Sequence, residues 1–184
     1  MARIIGRTEF TGKNFVIIPN SDSLDLDKWS IVVKFQLGKL DNGCFIFDKR
    51  NGQWHRNYCF GYITPEWFKH HPTDMTVGCY FFVDVGDGSQ VQDEFTNGVG
   101  VTVPFVNPRV SYEACMKYDG KVLSLSVDYT GVVEFNSREL NLGSVKGNGN
   151  LVIGSMGEPH LEAFPQYGLG RFTGVIESLD ISEL

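Results

Sequence analysis

The sequence predicts an all-β fold, a two-sheet antiparallel sandwich, and three observations carry the prediction. Apolar and polar residues alternate with period two over long stretches, which puts successive side chains on opposite faces of an extended chain. Glycine supplies 21 of the 184 residues, well above the usual ~7%. It is accompanied by 14 Phe, 7 Tyr and 3 Trp, a composition suited to short aromatic strands joined by tight turns. The length fits one domain, residues 1–184, and a chain of this size buries roughly 70% of its extended surface.

Residues 14–18 and 29–37 open the strand series. In the second, Trp29, Ile31, Val33, Phe35 and Leu37 share one face while Ser30, Lys34 and Gln36 take the other. Strands follow over 43–48 and 56–63. A short helix is expected near 65–71, with Thr64 as cap, Pro65 at the first helical position and Pro72 as the stop. Strands 76–85 and 99–105 come next, then 109–118 and 121–129. The last two are joined at Asp119-Gly120, whose tolerance of positive φ predicts a two-residue type I′ hairpin. Strands 131–135, 150–154 and 171–182 bring the series to its end, enough for two packed sheets. In the closing strand Phe172, Gly174 and Ile176 have one parity and Leu179 and Ile181 the other. Facing all of them inward requires one extra residue near Glu177-Ser178, a β-bulge.

Sixteen Lys and Arg against 22 Asp and Glu leave a net charge of −6 without a basic run, which argues against nucleic-acid binding. No stretch approaches the length of a membrane span, and the start lacks the apolar core of a signal peptide. Synthesis in the cytoplasm and no membrane insertion are therefore expected. Cys44, Cys59, Cys79 and Cys115 form no CxxC pair, and three of them lie in apolar runs. Buried free thiols are expected there.

Four segments, in the same order along the chain, resemble the concanavalin A-like lectin/glucanase superfamily in its laminin-G-like and pentraxin-like branch. They are the opening Glu9-Phe10-Thr11-Gly12-Lys13-Asn14-Phe15-Val16-Ile17-Ile18-Pro19, the hairpin Tyr118-Asp119-Gly120-Lys121-Val122-Leu123-Ser124-Leu125-Ser126-Val127-Asp128, the strand Leu151-Val152-Ile153-Gly154, and the terminal Phe172-Thr173-Gly174-Val175-Ile176-Glu177-Ser178-Leu179-Asp180-Ile181. Two departures stand out. Asp128-Tyr129-Thr130-Gly131 adds two residues to the branch's second Asp-Gly turn, and residues 50–108 match none of its motifs. The resemblance implies a jelly roll whose ligand recognition lies in peripheral loops, here those of residues 50–100.

Trp54, His55, Tyr62 and Trp67 are the candidate ligand-binding residues, because sugar C–H faces stack on flat rings while nearby polar groups bond hydroxyls. Core packing competes for the same aromatics, for Tyr58 and Tyr62 above all. Asp84, Asp87, Asp93 and Glu94 lie in a Gly-containing, oxygen-rich stretch and are the candidate calcium ligands, although the spacing is not that of an EF-hand. No other cofactor is required, and no catalytic residue is assigned. The nearest analogue of the superfamily's E-x-D-x-x-E or E-x-D-x-E carboxylates is Glu177-Ser178-Leu179-Asp180-Ile181-Ser182-Glu183, whose first spacing is three instead of two. Gly147-Asn148-Gly149 lacks the third glycine and following helix of a phosphate loop and reads as a turn.

Three functional readings follow. The first is a non-catalytic module that binds a glycan or a cell-surface protein. The second is a structural virion component, a capsid decoration or a tail or adhesion protein, working through homo-oligomer or particle contacts. The third, a glycoside hydrolase, rests on the imperfect carboxylate spacing.

Overall fold

A computed structural model describes residues 2–40, 43–52, 55–65, 78–89, 97–104, 106–108, 110–157 and 169–184. Among them are the strands β1 (Ala2–Ile5), β2 (Thr8–Thr11), β3 (Val16–Ile18), β4 (Trp29–Leu37), β5 (Gly43–Arg50), β6 (His55–Ile63) and β7 (Cys79–Asp87). They are followed by β8 (Val99–Val103), β9 (Ser111–Tyr118), β10 (Val122–Tyr129), β11 (Val132–Glu139), β12 (Leu151–Ile153), β13 (Gly170–Arg171) and β14 (Thr173–Glu183). The expected helix falls almost wholly on residues 66–71, outside the described residues.

The strands form two seven-stranded sheets. The first runs β1-β14-β4-β9-β10-β11, with β2 also beside β14; the second runs β3-β12-β5-β6-β7-β8, with β13 beside β5. Every pairing is antiparallel except β13 with β5. The closing strand β14 returns beside the chain's first two strands, pairing with β2 through residues 173–176 and with β1 through residues 179–181.

Alternation explains the packing. On β4, Trp29, Ile31, Val33, Phe35 and Leu37 all point into the core, as do Leu123, Leu125 and Val127 on β10 and Phe81 and Val83 on β7. Phe35 sits at the centre, with ring centroids of Tyr112, Phe81 and Phe60 at 5.5, 5.8 and 5.9 Å. Each such pair adds about 0.5–1.5 kcal/mol beyond area burial. The bulge in β14 lies where parity requires it: the register against β4 shifts between Ile176 and Ser178, so Ile176, Leu179 and Ile181 are all buried. Cys44, Cys59 and Cys79 are buried free thiols, and Cys115 is half-buried.

The hairpins correct one expectation. Tyr118 pairs with Leu123, so the central residues of the β9–β10 turn are Gly120 and Lys121, not Asp119 and Gly120. Gly120 has φ +93° while Lys121 stays at negative φ, the arrangement of a type II′ turn. Asp119 stands before the turn and accepts hydrogen bonds from the N–H groups of Lys121 and Val122 at 2.8 and 2.7 Å. Those bonds hold its carboxyl below the ordinary pKa. The type I′ signature belongs to the next turn, where Tyr129 pairs with Val132 and both central residues, Thr130 (φ 54°) and Gly131 (φ 84°), are left-handed. A β-branched threonine is poorly suited to that region. Thr130→Asn is therefore expected to raise stability by about 1 kcal/mol, or roughly 2–4 °C in Tm. A thermal melt unchanged or lowered by the substitution would contradict this account of the turn.

Candidate functional site: a polar rim and a buried charge cluster

The connections of the second sheet place the sequence candidates. Residue 55 opposes residue 87 across β6 and β7, so the β5–β6 and β7–β8 connections leave the sandwich at one end. The β6–β7 connection leaves from the other, about 30 Å away along a nine-residue β6. Trp54 and Trp67 lie outside the described residues. Tyr62 is not a ligand-facing ring: it lies in the core, 2% exposed, with its centroid 6.1 Å from that of Phe81. Its even parity on β6, shared with Tyr58 and Phe60, sends it inward.

His55 does reach the rim. The turn from β5 closes where the Asn51 N–H donates to the His55 carbonyl at 2.8 Å. Gly88 and Gly147 come close to the imidazole and place no side chain over it. Its Nε2 is buried and has no hydrogen-bond partner.

Around it the β3–β4 and β11–β12 connections are tied together by aspartates. Asp27 accepts from the Ser144 hydroxyl (2.7 Å) and the Val145 N–H (3.2 Å), and Asp25 accepts from the Gly147 N–H at 2.6 Å. Lys49 donates to the Gly147 carbonyl at 2.6 Å and lies 3.7 Å from Asp25. Burial holds its ammonium below the usual lysine pKa against the opposing pull of Asp25. Asn57 donates to the carbonyls of Leu26 (2.6 Å) and Val145 (3.2 Å).

The two calcium candidates among the described residues, Asp84 and Asp87, do not come together. Asp84 and Asp87 are three residues apart on β7 and take different surroundings. Asp84 is buried in an ion pair with Arg56. Asp87 turns to the rim, accepting from the Gly143 N–H (2.6 Å) and from Ser89 through its N–H (2.9 Å) and hydroxyl (2.5 Å). Burial opposes the Asp87 carboxylate, but the Ser89 hydroxyl and the N–H groups outweigh it and keep its pKa low. Asp93 and Glu94 lie outside the described residues. Among the described residues no three His, Cys, Asp or Glu side chains converge as metal ligands, and the oxygens of Asp84 that face Arg56 do not suit a calcium cage.

Sequence reasoning missed a second feature, a charge cluster on the outer side of the second sheet. Asp48, Arg50, Arg56 and Asp84 are all nearly fully buried there. Arg50 donates from Nε to Asp48 at 2.5 Å, and its guanidinium carbon lies 5.4 Å from the centroid of the Phe45 ring. The Gly157 N–H also donates to Asp48, at 2.8 Å. Beside the cluster Phe45, Cys59, Ile63, Phe82, Met156 and Leu169 form a second apolar group. Burial pushes the Asp84 carboxyl up to about 6 despite the attraction of Arg56, and it pushes the Cys59 thiol well above its ordinary value. The signal in the sequence was placement: Asp48 directly follows the apolar run of residues 44–47, and Asp84 interrupts the apolar run of residues 79–85.

The carboxylates of β14 are held apart from any shared chemistry. The bulge does bring Glu177 and Asp180 to the outward side, but each is taken by its own arginine. Arg7 donates to Glu177 at 2.9 and 3.2 Å, and Arg3 to Asp180 at 3.2 Å. Exposed pairs of this kind contribute little to stability; here they lie between β14 and the N-terminal strands. A cleft of about 440 Å³ opens at the end of the sandwich opposite His55, lined by Glu9, Gln36, Leu37, Pro108 and Thr173 among others.

No family model and no curated protein sequence matches the chain. Solved structures do. The heptameric SAP-like pentraxin of Limulus polyphemus is 13% identical, with 97% of this chain and 76% of that one covered and a TM-score of 0.61. The CBM40 of Ruminococcus gnavus IT-sialidase, bound to α2,3-sialyllactose, is 12% identical over 97% of this chain and 89% of that one, with a TM-score of 0.57. The enzymatically active domain of bacteriophage CBA120 tailspike protein 2 is 12% identical over 92% of this chain but 24% of that one, with a TM-score of 0.62. The chain thus has the concanavalin A-like jelly-roll fold, a sandwich of two seven-stranded sheets.

Proposed function

We propose that the protein is a non-catalytic recognition module that binds a glycan at the rim around His55, where the β5–β6, β7–β8 and β11–β12 connections meet. The observation that carries this reading is the His55 imidazole, set among glycines with an unpartnered Nε2. A sugar hydroxyl both donates and accepts, so it satisfies either tautomer of that ring. The structural likeness to a sialyllactose-bound domain supports a glycan as the ligand class.

Glycan-array screening followed by calorimetry tests the reading. His55→Ala is expected to weaken the best ligand about tenfold, the worth of one lost hydrogen bond, with an unchanged melting temperature, and Trp54→Ala is expected to weaken it as well. Binding that survives both but is lost in Gln36→Ala or Trp67→Ala would move the site to the opposite end, where the cleft lies.

A second reading, a virion assembly module made in the cytoplasm, draws support from the tailspike likeness and from an exposed edge strand described below. Incorporation into a particle without sugar affinity would favour it. For a hydrolase, the separate arginine pairing of Glu177 and Asp180 offers no support. Loss of a measured hydrolysis in Glu177→Gln would be needed to revive it.

A further inference from the structure

The free edge of the first sheet is unusual for a lone domain. β11 is eight residues long, pairs among the described residues only with β10, and does so without a register shift. It contains no proline, and it exposes Val132, Val133 and Phe135 at 48, 57 and 66%. Edges of lone domains are normally blunted by short strands, bulges or prolines. The other edges here follow that rule: β3 has three residues, β1 has a register shift, and β8 has five residues with its Gly100 carbonyl accepting from Asn136 Nδ2 at 2.9 Å.

Which groups of β11 are free follows from its turn. A two-residue hairpin closes on a hydrogen-bonded pair, here Tyr129 with Val132, and bonded pairs then recur at every second residue. Val132, Glu134, Asn136 and Arg138 therefore bond β10. Val133, Phe135, Ser137 and Glu139 turn their N–H and C=O groups to the open edge. In the isolated chain the Ser137 N–H is held by the Asn136 side chain at 2.8 Å.

We propose that β11 pairs with β11 of a second copy of this chain, antiparallel about a two-fold axis through Asn136, joining the two first sheets into one continuous sheet. Charge complementarity selects the partner and the register. Centring on Asn136 sets Glu134 opposite the partner's Arg138, twice by symmetry. These are non-hydrogen-bonded positions, where facing side chains come closest. Phe135 then faces the partner's Ser137, and Val133 the partner's Glu139, as hydrogen-bonded pairs that use the free backbone groups. Centring on Glu134 would oppose like charges, centring on Phe135 would set Glu134 against Asn136, and centring on Ser137 would set Arg138 against Asn136. The two charges that discourage unspecific edge pairing thus reward one partner, a second copy in one register.

Mass by light scattering or sedimentation over a concentration series tests this on the full chain. The unaltered protein is expected to shift from monomer to twice the monomer mass as concentration rises. Glu134→Arg and Arg138→Glu are each expected to weaken the dimer about tenfold or more, and the double exchange Glu134→Arg with Arg138→Glu is expected to restore it. Circular dichroism shows that each variant is folded. A wild-type chain that stays monomeric, a dimer indifferent to the single exchanges, or a double exchange that does not recover would each overturn the proposal. None of these outcomes depends on glycan binding at His55.

Discussion

Arg56→Met is expected to cost about 3–5 kcal/mol at pH 7, because it leaves the Asp84 carboxylate buried without its partner. For a domain of this size that is a fall in Tm of roughly 6–20 °C. The deficit should shrink with acidification. The Asp84 pKa is raised to about 6 by burial, against an ordinary 3.8, and Arg56 acts to lower it. Without Arg56 it rises further, and the folded variant takes up a proton more readily. A raised carboxyl pKa means that the folded state binds more protons than the unfolded state between the two pKa values. Its contribution to stability is therefore present at low pH and lost as pH rises through the folded value. Denaturant unfolding at pH 5 and pH 7 should show Arg56→Met closer to the wild type at pH 5. The double variant Arg56→Met with Asp84→Met should recover most of the loss at pH 7, since a well-packed apolar pair replaces a buried ionic one at little cost. A single variant as stable as the wild type, or one whose deficit ignores pH, would show that the pair is not what holds this face together.

That cluster marks where the sequence was readable and where it was not. Period two located β4, β9, β10 and the two halves of β14, and the broken parity of Phe172, Ile176, Leu179 and Ile181 located the bulge within one residue. The same rule marked a strand over 43–48, two residues short of the end of β5. Lys49 and Arg50 continue the strand because their charges find partners inside the fold. It ended β11 early for the opposite reason. Beyond Phe135 the residues Asn136, Ser137, Arg138 and Glu139 have no apolar face, and an edge strand needs none. Short β1, β2 and β13 have too few residues to show a period, and β14 or β5 makes them strands by pairing with them.

The rim was legible only in part. His55 stood out by chemistry, and the rim does contain it, but Asp25 and Asp27 come from the β3–β4 connection, Lys49 from β5 and Asn57 from β6, and no local pattern announces their meeting. Tyr62 and Trp67 looked like neighbours of Trp54 because they are near in sequence. An extended strand carries residue 63 about 27 Å from residue 55, and alternation turns Tyr62 into the core.

Gly149→Ala is expected to lower stability by about 3 kcal/mol and to weaken glycan binding at the rim together with it. Gly147-Asn148-Gly149 reads as a turn in the sequence, and glycine in turns ordinarily supplies positive φ. Neither Gly147 nor Gly149 has a positive φ, so the requirement is one of space. A Cβ on Gly149 would overlap the Arg50 carbonyl and press on the Asn51 N–H, and one on Gly147 would lie 2.9 Å from the Asn51 Cβ. The obstacle is backbone, at the end of β5 and the start of the turn that presents His55, so it cannot be relieved by a rotamer change. Gly52→Ala is the matched comparison: Gly52 is in the same turn, has nothing within 4 Å of its would-be Cβ, and has no positive φ. Its substitution should be neutral or stabilising by up to about 1 kcal/mol through the unfolded chain. Thermal melts of the two variants side by side separate contact from conformational entropy, and equal melts would refute the close-approach argument. If Gly149→Ala is destabilised yet binds glycan unchanged, the end of β5 and the ligand site are mechanically independent, and the site must lie away from His55.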